Sequence, residues 1–209
     1  MSRNIAERTM EAAMTSENDV REVPALQDVD LLGRLTQYFD TLQQHLRAGH
    51  GWFIFNARGT RGARIVGFIL SRLADYQPLV TYYYVPWRDF ALNAYMVEVE
   101  LHAMAEHGQA LQGRVKQEYD IATRVSRDSM TRMIVSDLLI VAGVFPHHRH
   151  ELQFLDQAVE RRYAQRLSTI LITPLQPHEL ARQMDELAPE AHYWDRLFTR
   201  MYERSLIAM

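Results

Sequence analysis

The sequence contains no cysteine and only one lysine. Without cysteine the chain can form neither disulfides nor thiolate metal sites, which fits a reducing compartment, so we expect a cytoplasmic protein. Long apolar runs are also missing: no stretch approaches the roughly 18 apolar residues of a membrane-spanning helix, and no membrane partner is predicted. The polar residues 1–18 lack the apolar centre of a secretory signal. Lys116 is the single lysine, and the rest of the 23 Lys+Arg side chains are arginines.

The charge of the chain is small but unevenly distributed. A net charge of −3 provides no general attraction for nucleic acid, and 47% hydrophobic with 23% charged residues is typical of globular proteins. Residues 1–30 carry seven acidic side chains against three arginines. This segment shows no sustained apolar period and is interrupted by Pro24. We therefore predict an acidic mobile tail over residues 1–28 and one folded domain over residues 29–209.

Apolar runs and helical periods alternate along this domain. Continuous apolar runs, which are typical of buried parallel strands, cover residues 52–55, 79–85, 133–141 and 168–173. Helical spacing is found over residues 29–48, 65–73, 90–107, 151–166, 178–187 and 193–205. Strands separated by helices predict an α/β fold, in which a central parallel sheet is covered by helices on both faces.

A turn-rich segment after the first strand occupies the place of a phosphate-binding loop. That loop reads G-x-x-x-x-G-K-[ST]: backbone N–H groups surround the phosphates, the lysine neutralises them and the hydroxyl holds Mg²⁺. Counted from the strand, residues 56–63 match its eight positions. The two glycines, the lysine and the hydroxyl residue are replaced in turn by Asn56, Arg61, Gly62 and Ala63. Moving the frame by one residue gives no better match, and Lys116 is far from the loop in sequence.

The element that should hold the metal is also altered. A magnesium-binding strand ends in an aspartate followed by an acidic residue that orients water, whereas the run over residues 136–141 ends in Ala142 and Gly143. Asp137 precedes the run, at the end of the strand that cannot reach the metal. Phosphoryl transfer would therefore lack both the magnesium clamp and the group that positions water.

Four segments in this order carry a family resemblance: residues 56–63 with their strand and helix, 136–141, 160–173 and 194–197. Together they resemble the helicase-loader and insertion-sequence (DnaC/IstB-like) branch of the AAA+ ATPases, over about residues 31–205. The resemblance implies a three-layer P-loop NTPase domain that lacks a full C-terminal lid domain. It also implies that Thr173 and Pro174 stand where the family has a sensor strand ending in asparagine. Arg196, in an Asp-Arg-Leu segment, then matches an arginine that completes a neighbouring subunit's site.

These features favour a catalytically inactive AAA+-like protein, a pseudo-ATPase, as a partner in a DNA replication, recombination or transposition complex. The partner implied is an AAA+ ATPase, a helicase or a transposition component, and both homo- and hetero-oligomers stay open. No cofactor and no metal are expected, although the helix N-terminus leaves residual nucleotide or phosphate binding open. The degenerate phosphate loop comprises Asn56, Arg58, Gly59, Thr60, Arg61, Gly62, Ala63 and Arg64.

Three clusters of arginine, tyrosine and histidine leave other functions open. Arg58, Arg61 and Arg64 could hold a phosphate backbone, which predicts a nucleic-acid-binding accessory factor, or could form an ordinary solvated loop. A nucleotide-binding regulator with weak ATPase activity ranks lower, and an enzyme with new chemistry ranks last. The tyrosines at 82–84 are either a stacking platform for bases or core residues. The histidines at 147, 148 and 150 are either metal ligands or an exposed loop.

Overall fold

The computed structural model describes residues 26–76, 79–97 and 113–209. Residues 1–25 of the predicted acidic tail therefore lie outside the described residues, as do residues 98–107 of the helical stretch predicted over 90–107. The helices are α1 (Leu26–Asp40), α2 (Leu42–Ala48), α3 (Gly59–Ala74), α4 (Trp87–Tyr95), α5 (Gly113–Val135), α6 (Arg149–Ala164), α7 (Pro177–Leu187) and α8 (Tyr193–Arg204). The strands are β1 (Gly51–Ile54), β2 (Tyr82–Pro86), β3 (Leu138–Ala142), β4 (Ser168–Ile172) and β5 (Ser205–Ala208).

The five strands form one parallel sheet in the order β2-β3-β4-β1-β5. β1, β3 and β4 are buried along their whole length, as the continuous apolar runs predict. The register pairs Ile54 of β1 with Ile172 of β4, and Ile172 with Ala142 of β3. The C-terminal ends of these three strands are therefore level with one another at the same end of the sheet.

Side chains alternate between two cores, one on each face of the sheet. Trp52 and Ile54 pack with buried side chains of α1 and α3, whereas Phe53 packs with α4, α6, α7 and α8. Helices thus cover both faces, and the predicted α/β architecture is confirmed. No helix within the described ranges is long and apolar enough to cross a membrane.

β3 begins later than predicted because its first apolar residues belong to a helix. The predicted run starts at residue 133, but α5 extends to Val135. The reason is Arg162 of α6, which is fully buried and donates to the carbonyls of Met133 and Ser136 at 2.7 and 2.9 Å. These bonds satisfy carbonyl groups at the C-terminal end of α5 that have no partner within the helix. Burial lowers the pKa of Arg162 to about 10, with nearby Asp137 acting in the opposite direction, so the guanidinium still carries its charge at neutral pH.

The folded body begins before the predicted boundary at residue 28. α1 includes Leu26 to Asp28, and Asp28 is buried although it was assigned to the acidic tail. From the sequence alone, an acidic residue near a helix start looks the same whether or not it pairs with a basic residue some thirty positions further on. Burial of Asp28 brings α1 against the loop that follows β1.

Candidate phosphate-loop site

The loop after β1 lies where ligands usually bind in parallel α/β sheets, outside the carboxyl ends of the strands. It consists of residues 55–58 and leads directly into α3, which begins at Gly59 with Arg58 as its N-cap residue. In the predicted alignment the helix therefore begins at the fourth of the eight motif positions. Asn56 adopts a left-handed conformation with φ 56°. Only a short loop is left between strand and helix.

The first backbone N–H groups of this loop are bonded to the protein itself. Asn56 donates to the carbonyl of Leu175 at 3.0 Å, and Ala57 donates to that of Thr173 at 2.9 Å. Arg58 donates to the carbonyl of Asn56 at 3.0 Å. A phosphate cradle needs such N–H groups to point at the ligand. The first two therefore fasten the loop to the segment after β4, and the third closes a turn within the loop.

Gly62, at the lysine position of the predicted alignment, leaves no room for a side chain. A Cβ atom at this residue would lie 2.6 Å from the carbonyl oxygen of Ala57. That is far inside van der Waals contact, and the obstacle is backbone rather than a flexible side chain. The close approach of α3 to the loop therefore excludes lysine, or any larger residue, without a shift of the main chain.

Arg61 fills the space under the loop with its own guanidinium group. Its side chain is only 14% exposed, and its Nη1 donates to the carbonyls of Phe55 and Asn56 at 3.3 and 2.8 Å. Its Nε donates to Asp28 Oδ1 at 2.7 Å, and its Nη2 reaches the carbonyl of Met209 at 3.4 Å. The arginine thus holds the loop to α1 and to the end of the chain.

Asp28 binds a second arginine as well. Arg64, one turn further along α3, donates to Asp28 Oδ2 at 2.6 Å. Burial by itself would raise the pKa of Asp28, but the hydrogen bonds and charges of Arg61 and Arg64 outweigh it, and the pKa is lowered. The carboxylate therefore stays ionised and neutralises charge that would otherwise be offered to an anion.

Arg58 is engaged on the other side of the loop. Its Nε donates to the carbonyl of Pro174 at 2.9 Å, and its Nη2 contacts both oxygens of Glu179 at 3.2 and 2.9 Å. The backbone N–H of Gln176, followed by Arg58, lowers the pKa of Glu179. The three loop arginines that were candidates for anion binding are thus held by two acids of the same chain. Neither acid was predicted, because the sequence does not show which distant carboxylates the fold brings to the loop.

The ends of β3 and β4 hold no carboxylate either. β3 ends at Ala142, and Gly143 follows with φ 80°, its N–H bonded to the carbonyl of Ile172 at 2.8 Å. Asp137 lies at the other end of the strand, where its Oδ2 accepts from the backbone and the hydroxyl of Thr81 at 2.8 and 2.7 Å. The position of Asp137 follows directly from strand direction.

Thr173 is buried, and its hydrogen bonds connect the segments at the ends of β1, β3 and β4. Its hydroxyl donates to the carbonyl of Val144 at 2.7 Å and accepts from the N–H of Leu175 at 3.1 Å. Its own N–H donates to the carbonyl of Ile54 at 2.9 Å. Because Thr173 is fully buried and Pro174 has no N–H, neither residue presents a donor to a water molecule above the sheet.

Arg196 lies away from the loop, near the start of α8. Its Nη2 donates to Asp156 of α6 at 2.8 Å, and its guanidinium group lies 4.9 Å from the ring of Tyr193. Hydrogen bonding to Asp156 raises the pKa of Arg196. Arg200 also binds Asp156, at 2.7 Å, and pairs with Glu160. The side chain of Arg196 is 40% exposed, whereas that of Arg200 is 16% exposed.

The other two candidate clusters are partly explained by local structure. The tyrosines at 82–84 are half-buried in β2, an edge strand, and Tyr83 shares a hydrogen bond with Ser129 of α5 at 3.1 Å. His147 and His148 donate backbone N–H groups to Glu151 at the start of α6. Among the residues that the structure describes, no group of three or more histidine, aspartate or glutamate side chains converges on one point.

No protein-family model matches the sequence, and no curated protein matches it. Several solved structures share its fold. A putative primosome component from Streptococcus pyogenes serotype M3 superposes with a TM-score of 0.56 and 12% identity, over 90% of this chain and 81% of that one. The DnaC helicase loader gives a TM-score of 0.56 and 12% identity, over 91% of this chain and 95% of that one. AMPPCP-bound DnaA from Aquifex aeolicus gives 0.53 and 14%, over 89% of this chain and 48% of that one. These likenesses confirm the predicted α/β fold with a central parallel sheet covered by helices.

Proposed function

We propose that this chain is a catalytically inactive AAA+-like protein that acts through protein contacts in a DNA replication, recombination or transposition assembly. One observation carries the proposal: the place of the phosphate cradle is filled by the buried Arg61–Asp28 ion pair and closed by Gly62 against Ala57. The structural neighbours include a helicase loader and a DNA replication initiation factor, which supports the kind of assembly named.

The inactivity follows from the chemistry of phosphoryl transfer. Its catalysis depends on positioning and on electrostatic stabilisation of the phosphate oxygens. At this site the loop N–H groups bond to the protein, the arginine charges meet Asp28 and Glu179, and the strand ends at Ala142 without a carboxylate. The site therefore supplies neither a cradle nor a metal ligand, and no nucleotide cofactor is expected.

The nucleic-acid alternative relies on the same three arginines. In the structure each of them pairs with a carboxylate, so a DNA phosphate would have to compete with Asp28 or Glu179. Fluorescence anisotropy with labelled single- and double-stranded DNA at low salt tests this directly. We expect no saturable binding. Binding that weakens steeply with salt, and that Arg58→Ala reduces, would replace our proposal with the accessory-factor alternative.

The protein partner can be identified by affinity capture from the native host followed by mass spectrometry. We expect an AAA+ ATPase, a replicative helicase or a transposition component to be enriched. Capture with the Tyr202→Ala variant provides a comparison, because Tyr202 is 68% exposed on α8 and its loss leaves the core intact. Recovery of only metabolic enzymes or ribosomal proteins would contradict the proposed assembly.

Within such an assembly we propose that Arg196 contributes to the partner's ATP site. Asp156 would keep Arg200 as its counter-charge if Arg196 turned outward, so the move leaves no carboxylate unpaired. With the captured ATPase, Arg196→Ala should lower the partner's ATP turnover about 10³-fold or more, the range reported for arginine fingers. Arg182→Ala, which removes an exposed arginine of α7, is the control and should leave the partner's ATP turnover unchanged. Equal turnover with both variants would exclude this role.

A further inference from the structure

Two histidines face each other where β1 begins, at the end of the sheet opposite the phosphate-loop site. His45 lies in the last turn of α2, and His50 directly precedes β1. Their Nδ1 atoms are 3.5 Å apart. Such a separation is long for an N–H···N hydrogen bond, for which about 2.9–3.0 Å is usual. The two nitrogens are thus close together without a well-formed bond between them.

The backbone holds this pair in place through a tight turn. Gly49 adopts φ 72°, its N–H donates to the carbonyl of Leu46 at 3.1 Å, and His50 N–H donates to the carbonyl of His45 at 2.9 Å. A Cβ atom on Gly49 would lie 2.7 Å from the carbonyl oxygen of Arg166. Glycine is therefore required here both for its conformation and for the close approach of the two segments.

Tyr38 fixes the two histidines from α1. Its ring stacks on that of His45, with centroids 4.5 Å apart and planes 18° from parallel. Its hydroxyl donates to the backbone carbonyl of His50 at 2.8 Å. One buried side chain thus packs against the His45 ring and anchors the His50 main chain.

We propose that His45 and His50 bind one first-row transition-metal ion, of the Zn²⁺, Ni²⁺ or Cu²⁺ class, through their two Nδ1 atoms. Imidazole suits these ions, and zinc–nitrogen bonds of about 2.0–2.1 Å at a tetrahedral angle place two ligand nitrogens about 3.3–3.4 Å apart. The observed 3.5 Å lies within about 0.2 Å of that separation. Water molecules complete the coordination.

Solvent reaches both side chains, since His50 is exposed and His45 is partly exposed. A bound ion would connect the end of α2 to the start of β1. The site shares no residue with the phosphate loop, and metal binding stands whether or not the proposed function holds.

The test uses the full chain without a histidine tag, treated with a chelator and dialysed. Calorimetric titration with Zn²⁺ should show saturable one-to-one binding. In ¹⁵N-histidine spectra the Nδ1 resonances of His45 and His50 should both shift. His50→Gln, at an exposed position, should weaken binding at least about tenfold, and His45→Gln should do the same. Melting curves of the metal-free variants establish that they remain folded.

The matched control is the double variant His147→Gln/His150→Gln, which removes two of the histidines near the start of α6. It should bind Zn²⁺ like the unaltered chain. The proposal is overturned if the unaltered chain shows no saturable binding, or if His45→Gln and His50→Gln bind as tightly as it does. It is equally overturned if the control abolishes binding, or if the shifts arise at Nε2 atoms instead.

Discussion

Asp28 and Arg61 show how one buried ion pair can change what a loop does. An arginine stands where the motif has its second glycine, and its guanidinium group is directed inward to two carbonyls and a carboxylate. Desolvating such a pair is costly unless its hydrogen bonds are nearly complete, and here most donors have partners. The positive charge of Arg61 is therefore compensated by groups of the same chain.

Replacing the carboxylate tests this role of Asp28. Asp28→Asn keeps the shape but leaves the 14%-exposed Arg61 side chain without its counter-charge, so we expect the free energy of unfolding to fall by about 2 kcal/mol. Asp40→Asn is the control, because the side chains of Asp40 and Arg72 are 58% and 31% exposed, more than those of the Asp28–Arg61 pair, and their pair should contribute less than about 1 kcal/mol. Urea denaturation at pH 7 measures both. Equal losses would show that burial of the Asp28 pair has no special weight.

The same residue predicts a dependence on pH. Because the pKa of Asp28 is lower in the folded than in the unfolded state, its contribution is complete above the unfolded value of about 3.9 and is lost as the pH falls through the folded value. The stability difference between the unaltered chain and Asp28→Asn should therefore be constant from pH 7 to about 5 and shrink below pH 4. Denaturant midpoints across this range measure it; a gap that persists unchanged to the lowest pH would contradict the assignment.

At the scale of elements, the start of α3 is set by its contact with the loop. Gly62 lets the helix backbone approach the carbonyl of Ala57, and the loop is in turn bonded to the segment after β4. Helix, loop and strand end thus form one packed unit. A rigid unit of this kind cannot open around a phosphate without losing several of these bonds.

Two glycines on α3 provide a matched test of that packing. Gly62→Ala places a Cβ atom 2.6 Å from a backbone oxygen and should lower the free energy of unfolding by about 2 kcal/mol. Gly67→Ala meets no atom within 4 Å and should be neutral or stabilising by up to about 1 kcal/mol, since alanine is the better helix former. Guanidinium denaturation distinguishes the two. If both substitutions stabilise, the helix is not pressed against the loop.

The elements differ in how well the sequence predicts them. The buried strands follow from continuous apolar runs, and four replaced motif positions can be counted at Asn56, Arg61, Gly62 and Ala63. The end of α5 could not be predicted, because it depends on carbonyl bonds from Arg162 nearly thirty residues away. Asp28 and Glu179 were missed for the same reason: pairing across the fold leaves no local pattern.

At the scale of the molecule, the sheet and its helices share the fold of a DnaC helicase loader and of AMPPCP-bound DnaA. The fold is carried by alternate burial on two faces, which needs only apolar residues at the right period. The chemistry needs particular side chains, and at the corresponding positions the chain has Gly62 in α3, Ala142 at the end of β3 and Pro174 after β4. The fold by itself therefore does not establish an activity.

We expect that the chain does not hydrolyse ATP, and release of γ-phosphate by the purified protein decides the question. The rate with Mg²⁺ should be no higher than that of buffer, and identical for the unaltered chain and for Arg58→Ala and Thr60→Val, which alter exposed residues of the loop and of the first turn of α3. Magnesium-dependent turnover that follows the protein through purification, and that either substitution reduces, would contradict it.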